Sequence, residues 1–296
     1  MNHHISYQKI GKLSAAFVLL LPIIFYGWQA SLRPSTNNQQ KELFQGITYQ
    51  RKAYSTPRPF IVHMVEVDLN KTGIQPFVTP PQTTTNINNT RALTTSEFIQ
   101  KFNLQLAING SFFYPFSEQT PWDYYPKSGE PTNPLGESIS NSLSYGKSES
   151  KWNLLCITEF NKAQIYNSEK CPDKTVWGIG GYEILVFDGL SEISRDTPNY
   201  PRTVVATNKK GDKLWLIVVD GKQPLYSEGA TLKEVAEIAI SLGADEALNL
   251  DGGGSTTLAI SNNNKTKIIN APIHSKIPMN ERPVANHLGF FALPIK

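Results

Sequence analysis

The chain has 296 residues, 40% of them hydrophobic and 18% charged, with 20 Gly and 20 Pro. This is ordinary globular composition, polar and turn-rich, with enough apolar content for one substantial core. The net charge is only +3, and no Lys/Arg stripe interleaves with aromatics, so a nucleic-acid footprint is not supported.

In chain order, Ser14 to Ala30 is an apolar run preceded by Lys9 and Lys12. Its length, about 17 residues, sits at the lower limit for spanning a bilayer and the upper limit for a signal-peptide core. Trp28-Gln29-Ala30 makes a poor cleavage site, so residues 1–31 read as an uncleaved signal anchor, with a cleaved signal peptide as the alternative. The lysines favour the cytoplasmic side. The rest is therefore expected outside the cytoplasm, anchored to the membrane by the N-terminal helix, or secreted or periplasmic if that segment is removed. Residues 32–58 are polar and read as a linker, and 59–296 as one domain.

Phe60 to Leu69 has the β-branched enrichment of a strand, and Ile74 to Val78 is its expected partner across a Lys-Thr-Gly turn. Thr95 to Phe102 reads as a short helix, capped by Thr94 or Thr95, with Glu97 suited to its first turn. Leu104 to Ile108 is then a strand running into Asn109-Gly110. Tyr114 to Ser150 reads as a long loop, either a binding lid or a surface excursion, and Trp122, Tyr124 and Tyr125 are candidates for stacking on carbohydrate. Further strands are expected at Leu154–Thr158, Ala163–Tyr166, Ile184–Phe187, Thr203–Thr207 and Leu214–Val219, the last two forming a hairpin about Asn208–Asp212. Leu232 to Leu242 is an amphipathic helix, capped by Thr231 and stopped by Gly243. Strands follow at Ala247–Leu250, Thr257–Ile260 and Val284–Leu293. The expected fold class is α+β: a single domain with a large mixed β-sheet and few helices, preceded by the membrane anchor.

Cys156 lies in one of these strands and Cys171 follows a short polar loop. In an oxidising compartment a disulfide between them would close a loop of about 15 residues and contribute roughly 3 kcal/mol. Two unrelated buried thiols are the alternative.

The segment Asn249-Leu-Asp-Gly-Gly-Gly-Ser-Thr-Thr-Leu258 carries the chemistry. Three successive glycines are entropically costly, and such a run suits backbone that must take φ > 0 or approach a ligand closely. Asp251 brings a carboxylate, Asn249 an amide, and Ser255, Thr256 and Thr257 hydroxyls. The N–H groups of Gly252, Gly253, Gly254 and Ser255 are a candidate anion-binding cluster.

Asn109-Gly-Ser-Phe-Phe113, Pro201-Arg-Thr203, Asn249-Leu-Asp-Gly-Gly-Gly-Ser255 and Arg282-Pro-Val-Ala-Asn286 occur in that order, with a helix just before the glycine turn. This ordered set, together with Pro134-Leu-Gly136 and Val218-Val-Asp-Gly221, resembles the phosphodiester glycosidase family over about Pro59 to Leu293. The resemblance implies hydrolysis of a sugar-1-phosphate diester, releasing the sugar and leaving a phosphomonoester. Such a reaction builds positive charge on the sugar ring, so a carboxylate must stabilise it or activate water. Asp251 is the first candidate and Asp220 the second, with His287 as a further candidate acid or a core histidine. Arg202 and Arg282 are suited to phosphate oxygens. Asn109, Asn249 and Asn286 are candidates for sugar hydroxyls or phosphate, Gly110 for close ligand approach, and Gly252, Gly253, Ser255 and Thr256 for the ligand-facing turn.

Other chemistries fit less well. Gly253-Gly-Ser255 lacks the second glycine of a nucleophile elbow, because Thr257 stands there, and no Gly-Lys-Ser/Thr follows the glycines as in a P-loop. His63 and Glu66 alternate on a strand without a third ligand, so no metal site is expected, and no cofactor. A structural Ca²⁺ on loop carboxylates stays open, although no loop has the EF-hand pattern. The rival from another class is a non-catalytic extracytoplasmic protein that binds glycan or sugar phosphate in the same groove.

Overall fold

In the computed structural model, which describes residues 20–82, 89–149, 151–263 and 265–295, the strand Phe60–Asp68 is buried on both faces. Val65 and Val67 enter one core, while Phe60, Val62 and Met64 enter another. Burial on two sides is why the sequence there is nearly continuous apolar residues. This strand is third in an eight-stranded sheet of order Gln39–Phe44, Ile47–Tyr54, Phe60–Asp68, Lys213–Val219, Arg202–Thr207, Glu246–Asn249, Ile184–Phe187 and Leu190–Ser191. Two five-stranded sheets pack on it. One runs Lys265–Ile268, Leu258–Asn262, Leu106–Asn109, His287–Phe291, Gln75–Val78, and the other Leu143–Tyr145, Ser138–Ser140, Thr175–Gly181, Asn153–Thr158, Ala163–Tyr166. One core lies among the three sheets, with Val65, Leu216, Leu106, Leu288, Leu155 and Ile179 all in it.

The helices cover the outer faces. Leu232–Ser241 packs Leu232, Val235, Ala236 and Ala239 against Trp215, Ile217 and Val219 of the large sheet. Thr95–Phe102 sets Phe98 and Ile99 against Ala107 and Ala259 of the second. Each begins with a reciprocal capping box, Thr231 with Glu234 and Thr94 with Glu97, which satisfies two of the otherwise orphaned N–H groups.

Four expectations need correction. The large sheet is antiparallel throughout rather than mixed. Its helical crossover, from Lys213–Val219 through Leu232–Ser241 to Glu246–Asn249, leaves Arg202–Thr207 between the two strands it joins, so neighbours remain antiparallel. Residues 39–54, expected within the linker, form a hairpin whose inner strand pairs along the whole of Ile47–Tyr54 with Phe60–Asp68. The alternation there is real, since Ile47, Tyr49 and Arg51 are all buried, but a polar residue at one inward position disguises it. Gln75–Val78 pairs with His287–Phe291, not with Phe60–Asp68. The long loop contains short strands at Phe113–Tyr114, Ser117–Glu118, Tyr124–Tyr125 and Pro131–Pro134, followed by two strands of the third sheet.

The disulfide Cys156–Cys171 is present, and its Cα atoms lie 5.8 Å apart. Helical backbone runs over 20–31, and the first part of the expected anchor lies outside the described residues. Among the described residues no helix is long and apolar enough to cross a membrane.

Candidate active site

Antiparallel register gathers distant residues at one rim, where the first two sheets meet. Arg202 opens its strand opposite Val219, the residue before Asp220, and Asn249 closes its strand opposite Val204. Asn109 closes Leu106–Asn109 opposite His287.

Asn109 is fully buried and ties the rim together. Its Nδ2 donates to the Asp251 carbonyl at 2.6 Å, and its Oδ1 accepts from Thr203 Oγ1 at 2.8 Å and Thr257 N–H at 3.1 Å. Asp251 N–H donates to the Gly110 carbonyl at 3.1 Å, and Gly110 N–H to the Asn286 carbonyl at 3.0 Å. A Cβ on Gly110 would lie 2.5 Å from both Asn286 Oδ1 and Ile179 Cδ1, so this glycine admits protein rather than ligand. Asn286 is also buried. Its Oδ1 accepts from Ser111 N–H at 2.7 Å, and its Nδ2 donates to the hydroxyls of Ser111 at 3.1 Å and Ser138 at 2.9 Å. Asn109, Gly110 and Asn286 thus hold the site from behind.

The glycine turn closes as a short 3₁₀ turn, Gly253–Ser255, with Gly253 at φ +63°. Gly253 N–H donates to the Pro201 carbonyl at 2.9 Å, and Ser255 N–H to the Gly252 carbonyl at 3.2 Å. The expected cluster of four N–H donors therefore does not form as a set, because the turn and the Pro201 strand end consume part of it. The glycines serve close approach instead. A Cβ on Gly252 would come within 2.7 Å of the Pro201 carbonyl oxygen, and one on Gly254 within 2.5 Å of Arg282 Nη2.

Above the turn lies a cavity of about 430 Å³. Asp251, Asn249, Gly252, Gly253 and Gly254 form part of its wall, with Arg202 and Arg282. Burial pushes the Asp251 carboxyl up to about 6; a hydrogen bond from Ser255, the Arg282 charge and the Gly252 N–H oppose that shift. Arg282 is fixed by three contacts: Nη1 donates to Ser255 Oγ at 3.3 Å, Nε to His274 Nδ1 at 3.3 Å and Nη2 to Glu118 Oε2 at 2.7 Å. Its guanidinium also lies 4.4 Å from the Phe116 ring centroid. His274 can accept that bond because burial and the Arg282 charge hold its pKa down, to about 4, leaving the ring neutral. Arg202 donates Nε to the Ala230 carbonyl at 3.2 Å and Nη2 to the Pro198 carbonyl at 2.9 Å, and burial lowers its pKa. Asn249 Oδ1 is buried without a hydrogen-bond partner among the described residues.

Two carboxyl and imidazole candidates are placed elsewhere. Asp220 is sealed from solvent, with Oδ2 3.0 Å from His63 Nε2 and Oδ1 accepting from Asn270 Nδ2 at 3.1 Å and Ala271 N–H at 2.8 Å. The Tyr49 hydroxyl completes the chain 2.8 Å from His63 Nδ1. Asn270 in turn holds Thr256 O and Leu258 N–H, so Asp220 braces the glycine turn from inside the core. His287 is also fully buried, stacked on Phe98 at 4.5 Å, and burial pushes its pKa down to about 3. Neither side chain reaches the cavity. Thr256 is buried behind the turn. Glu66 bonds Trp215 and Lys213, and among the described residues no group of three His, Cys, Asp or Glu side chains is placed to hold a metal.

The cavity also contains Phe112 and Phe113, which the first motif includes without a role, and residues that sequence reasoning missed: Tyr200, Lys222, Glu118 and Phe116. Lys222 Nζ donates to the Tyr200 hydroxyl at 2.6 Å and sits 3.9 Å from that ring's centroid, on a backbone with φ +56°. Tyr200 and Lys222 flank recognised motifs, Pro201-Arg-Thr203 and Val218-Val-Asp-Gly221, and that adjacency was the available signal. Glu118 had none.

Three cations and two carboxylates line this one cavity, above a glycine turn at the rim of stacked antiparallel sheets, and their excess of positive charge favours an anionic ligand. The phosphodiester glycosidase family model matches residues 102–291, and the chain belongs to this family, whose members are hydrolases. Among curated proteins no sequence matches the chain. Several solved structures share its fold, three of them as follows. The catalytic domain of zebrafish N-acetylglucosamine-1-phosphodiester α-N-acetylglucosaminidase, auto-inhibited by its pro-peptide, has TM-score 0.55 and 18% identity, over 91% of this chain and 93% of that one. A hypothetical protein from Synechocystis has TM-score 0.52 and 16% identity, over 87% of this chain, which spans 64% of that protein. A protein from Burkholderia pseudomallei K96243 has TM-score 0.53 and 14% identity, over 80% and 74% of the two chains. At these identities the likeness is one of fold.

Proposed function

We propose that this chain hydrolyses a sugar-1-phosphate diester, such as an N-acetylglucosamine-1-phosphodiester, to free sugar and a phosphomonoester. The observation that carries the reading is the convergence of Asp251, Arg202 and Arg282 on one cavity. Water attacks the anomeric carbon, and the bond from that carbon to the phosphate oxygen breaks with its electron pair leaving on phosphate. Asp251 stabilises the positive charge growing on the ring and takes the proton from water. Arg202, Arg282 and Lys222 balance the charge gathering on the leaving phosphate, which therefore needs no strong general acid. Asn249 stands in the cavity wall beside Asp251, where its side-chain amide bonds a sugar hydroxyl.

We place this activity outside the cytoplasm, in envelope or exopolysaccharide metabolism, with residues 1–31 as the membrane anchor. The disulfide supports an oxidising compartment. The test is to incubate the full-length chain with the α-phosphodiester of N-acetylglucosamine and score free sugar against free phosphate. Sugar released by the wild type and lost in Asp251→Asn supports the reading. Saturable binding without release would replace it with that of a sugar-phosphate-binding protein.

A further inference from the structure

Arg282 already holds an anion in this structure. Glu118 Oε2 accepts from Arg282 Nη2 at 2.7 Å and lies 3.6 Å from His274 Nδ1. Glu118 comes from a two-stranded flap, Ser117–Glu118 paired with Tyr124–Tyr125, that belongs to neither sheet of the rim. The flap is seated by Tyr124, whose ring meets His274 edge-on at 4.5 Å, and by Phe116 beneath the guanidinium. A carboxylate and a phosphodiester each offer a guanidinium two oxygens and one negative charge. The Glu118 carboxylate therefore occupies the position that the phosphate of the proposed substrate would take on Arg282.

We propose that Glu118 is a specificity-determining stand-in for the substrate phosphate, and that only an anionic substrate displaces it and opens the flap. This rests on the phosphodiester reading of the site. The Arg282 guanidinium is half-buried, its Nε and Nη1 are committed to His274 and Ser255, and a glycine at 254 keeps it lying against the turn. Without an anion on Nη2, that nitrogen would face the cavity without an acceptor. A neutral glycoside offers nothing in exchange for Glu118, so breaking the ion pair is uncompensated; a phosphodiester replaces like with like. Discrimination against neutral glycosides then comes from the closed state, in addition to contacts made to phosphate in the open one.

The experiment is a calorimetric titration of the full-length chain with inorganic phosphate, comparing wild type, Glu118→Gln, Arg282→Ala and the double variant. Removing the competing carboxylate is expected to tighten phosphate about fivefold, the scale of a partly solvated ion pair. In the Arg282→Ala background the same substitution is expected to change nothing, because the two residues act on one another. Unchanged or weaker phosphate binding by Glu118→Gln, or an equal gain without Arg282, overturns the proposal. So does a hundredfold fall in sugar release by Glu118→Gln, which would make Glu118 a reacting group. Wild-type chain that binds phosphate but releases no sugar fails the hydrolytic reading and leaves the titration valid.

Discussion

The two aspartates that the sequence offers for catalysis have opposite environments. Asp251 has its carboxyl raised to about 6 by burial beside a cavity, while Asp220 has both oxygens occupied inside the core. A raised folded-state value means that the folded chain binds a proton more tightly than the unfolded chain between its ordinary 3.8 and about 6. Stability contributed by Asp251 is therefore present below that window and is lost as pH rises through it. Asp251→Asn is expected to end turnover yet raise stability at pH 7 by about 1–2 kcal/mol, read from urea unfolding, with the gain gone at pH 4. Asp220→Ala leaves His63 and Asn270 without their acceptor and is expected to cost about 3–5 kcal/mol. A destabilised Asp251→Asn with wild-type turnover would exchange the two roles. As a proton acceptor Asp251 also sets the acid limb of the rate profile, which should rise through about pH 6 in kcat/KM.

At the level of elements, the glycine turn shows how function and packing share a segment. Gly254 is small because the Arg282 guanidinium lies across it, and a Cβ there would come within 2.5 Å of Nη2. Gly254→Ala should therefore move Arg282, raising KM for the phosphodiester several-fold, while the residual turnover of a neutral aryl glycoside, which the Arg282–Glu118 pair holds back, is expected to stay level or rise. Equal losses on both substrates would mean that the turn itself had been broken. Both capped helices, the hairpin about Asn208–Asp212 and the strands at Ala163–Tyr166 and Ile184–Phe187 were legible in the sequence, because caps, turns and apolar runs are local signals. The hairpin 39–54 was not, since its pairing with Phe60–Asp68 is what buries Ile47 and Tyr49. Thr175–Gly181 was missed because three glycines hide it, and two of them are required where Gly180 meets the Leu135 carbonyl and Gly181 the Asn249 carbonyl. At the site, the motif residues were legible as a set but not by task. Asn109, Gly110 and Asn286 share motifs with cavity residues yet support them from within, and only side-chain direction separates the two groups.

On the scale of the molecule, three sheets share one core, but they contribute unequally to the site. The first two supply the rim, whereas the third closes the core through Leu155, Ile157 and Ile179 and carries the disulfide. That bridge spans 15 positions, from Asn153–Thr158 to the segment leading into Thr175–Gly181, and Cys171 N–H also donates to Glu137 Oε2 at 2.6 Å. Its removal lengthens the unfolded chain's freedom without touching a cavity residue. Replacing both cysteines by serine is expected to cost about 3 kcal/mol, from the loop-entropy relation. In a chain of this size that lowers the thermal midpoint by roughly 5–10 °C, measured by calorimetry. Sugar release well below that midpoint should keep its kcat and KM, because the strand ends holding Asn249, Arg202 and the glycine turn belong to the other two sheets. The sensitive point is Ile179, whose Cδ1 sits where a side chain on Gly110 would be, one residue from the amide that holds the Asp251 carbonyl. A fall in kcat at low temperature, with the midpoint unmoved, would mean that the third sheet sets the position of Asp251 through that contact. A lower midpoint with intact kinetics would make it a lid on the core alone.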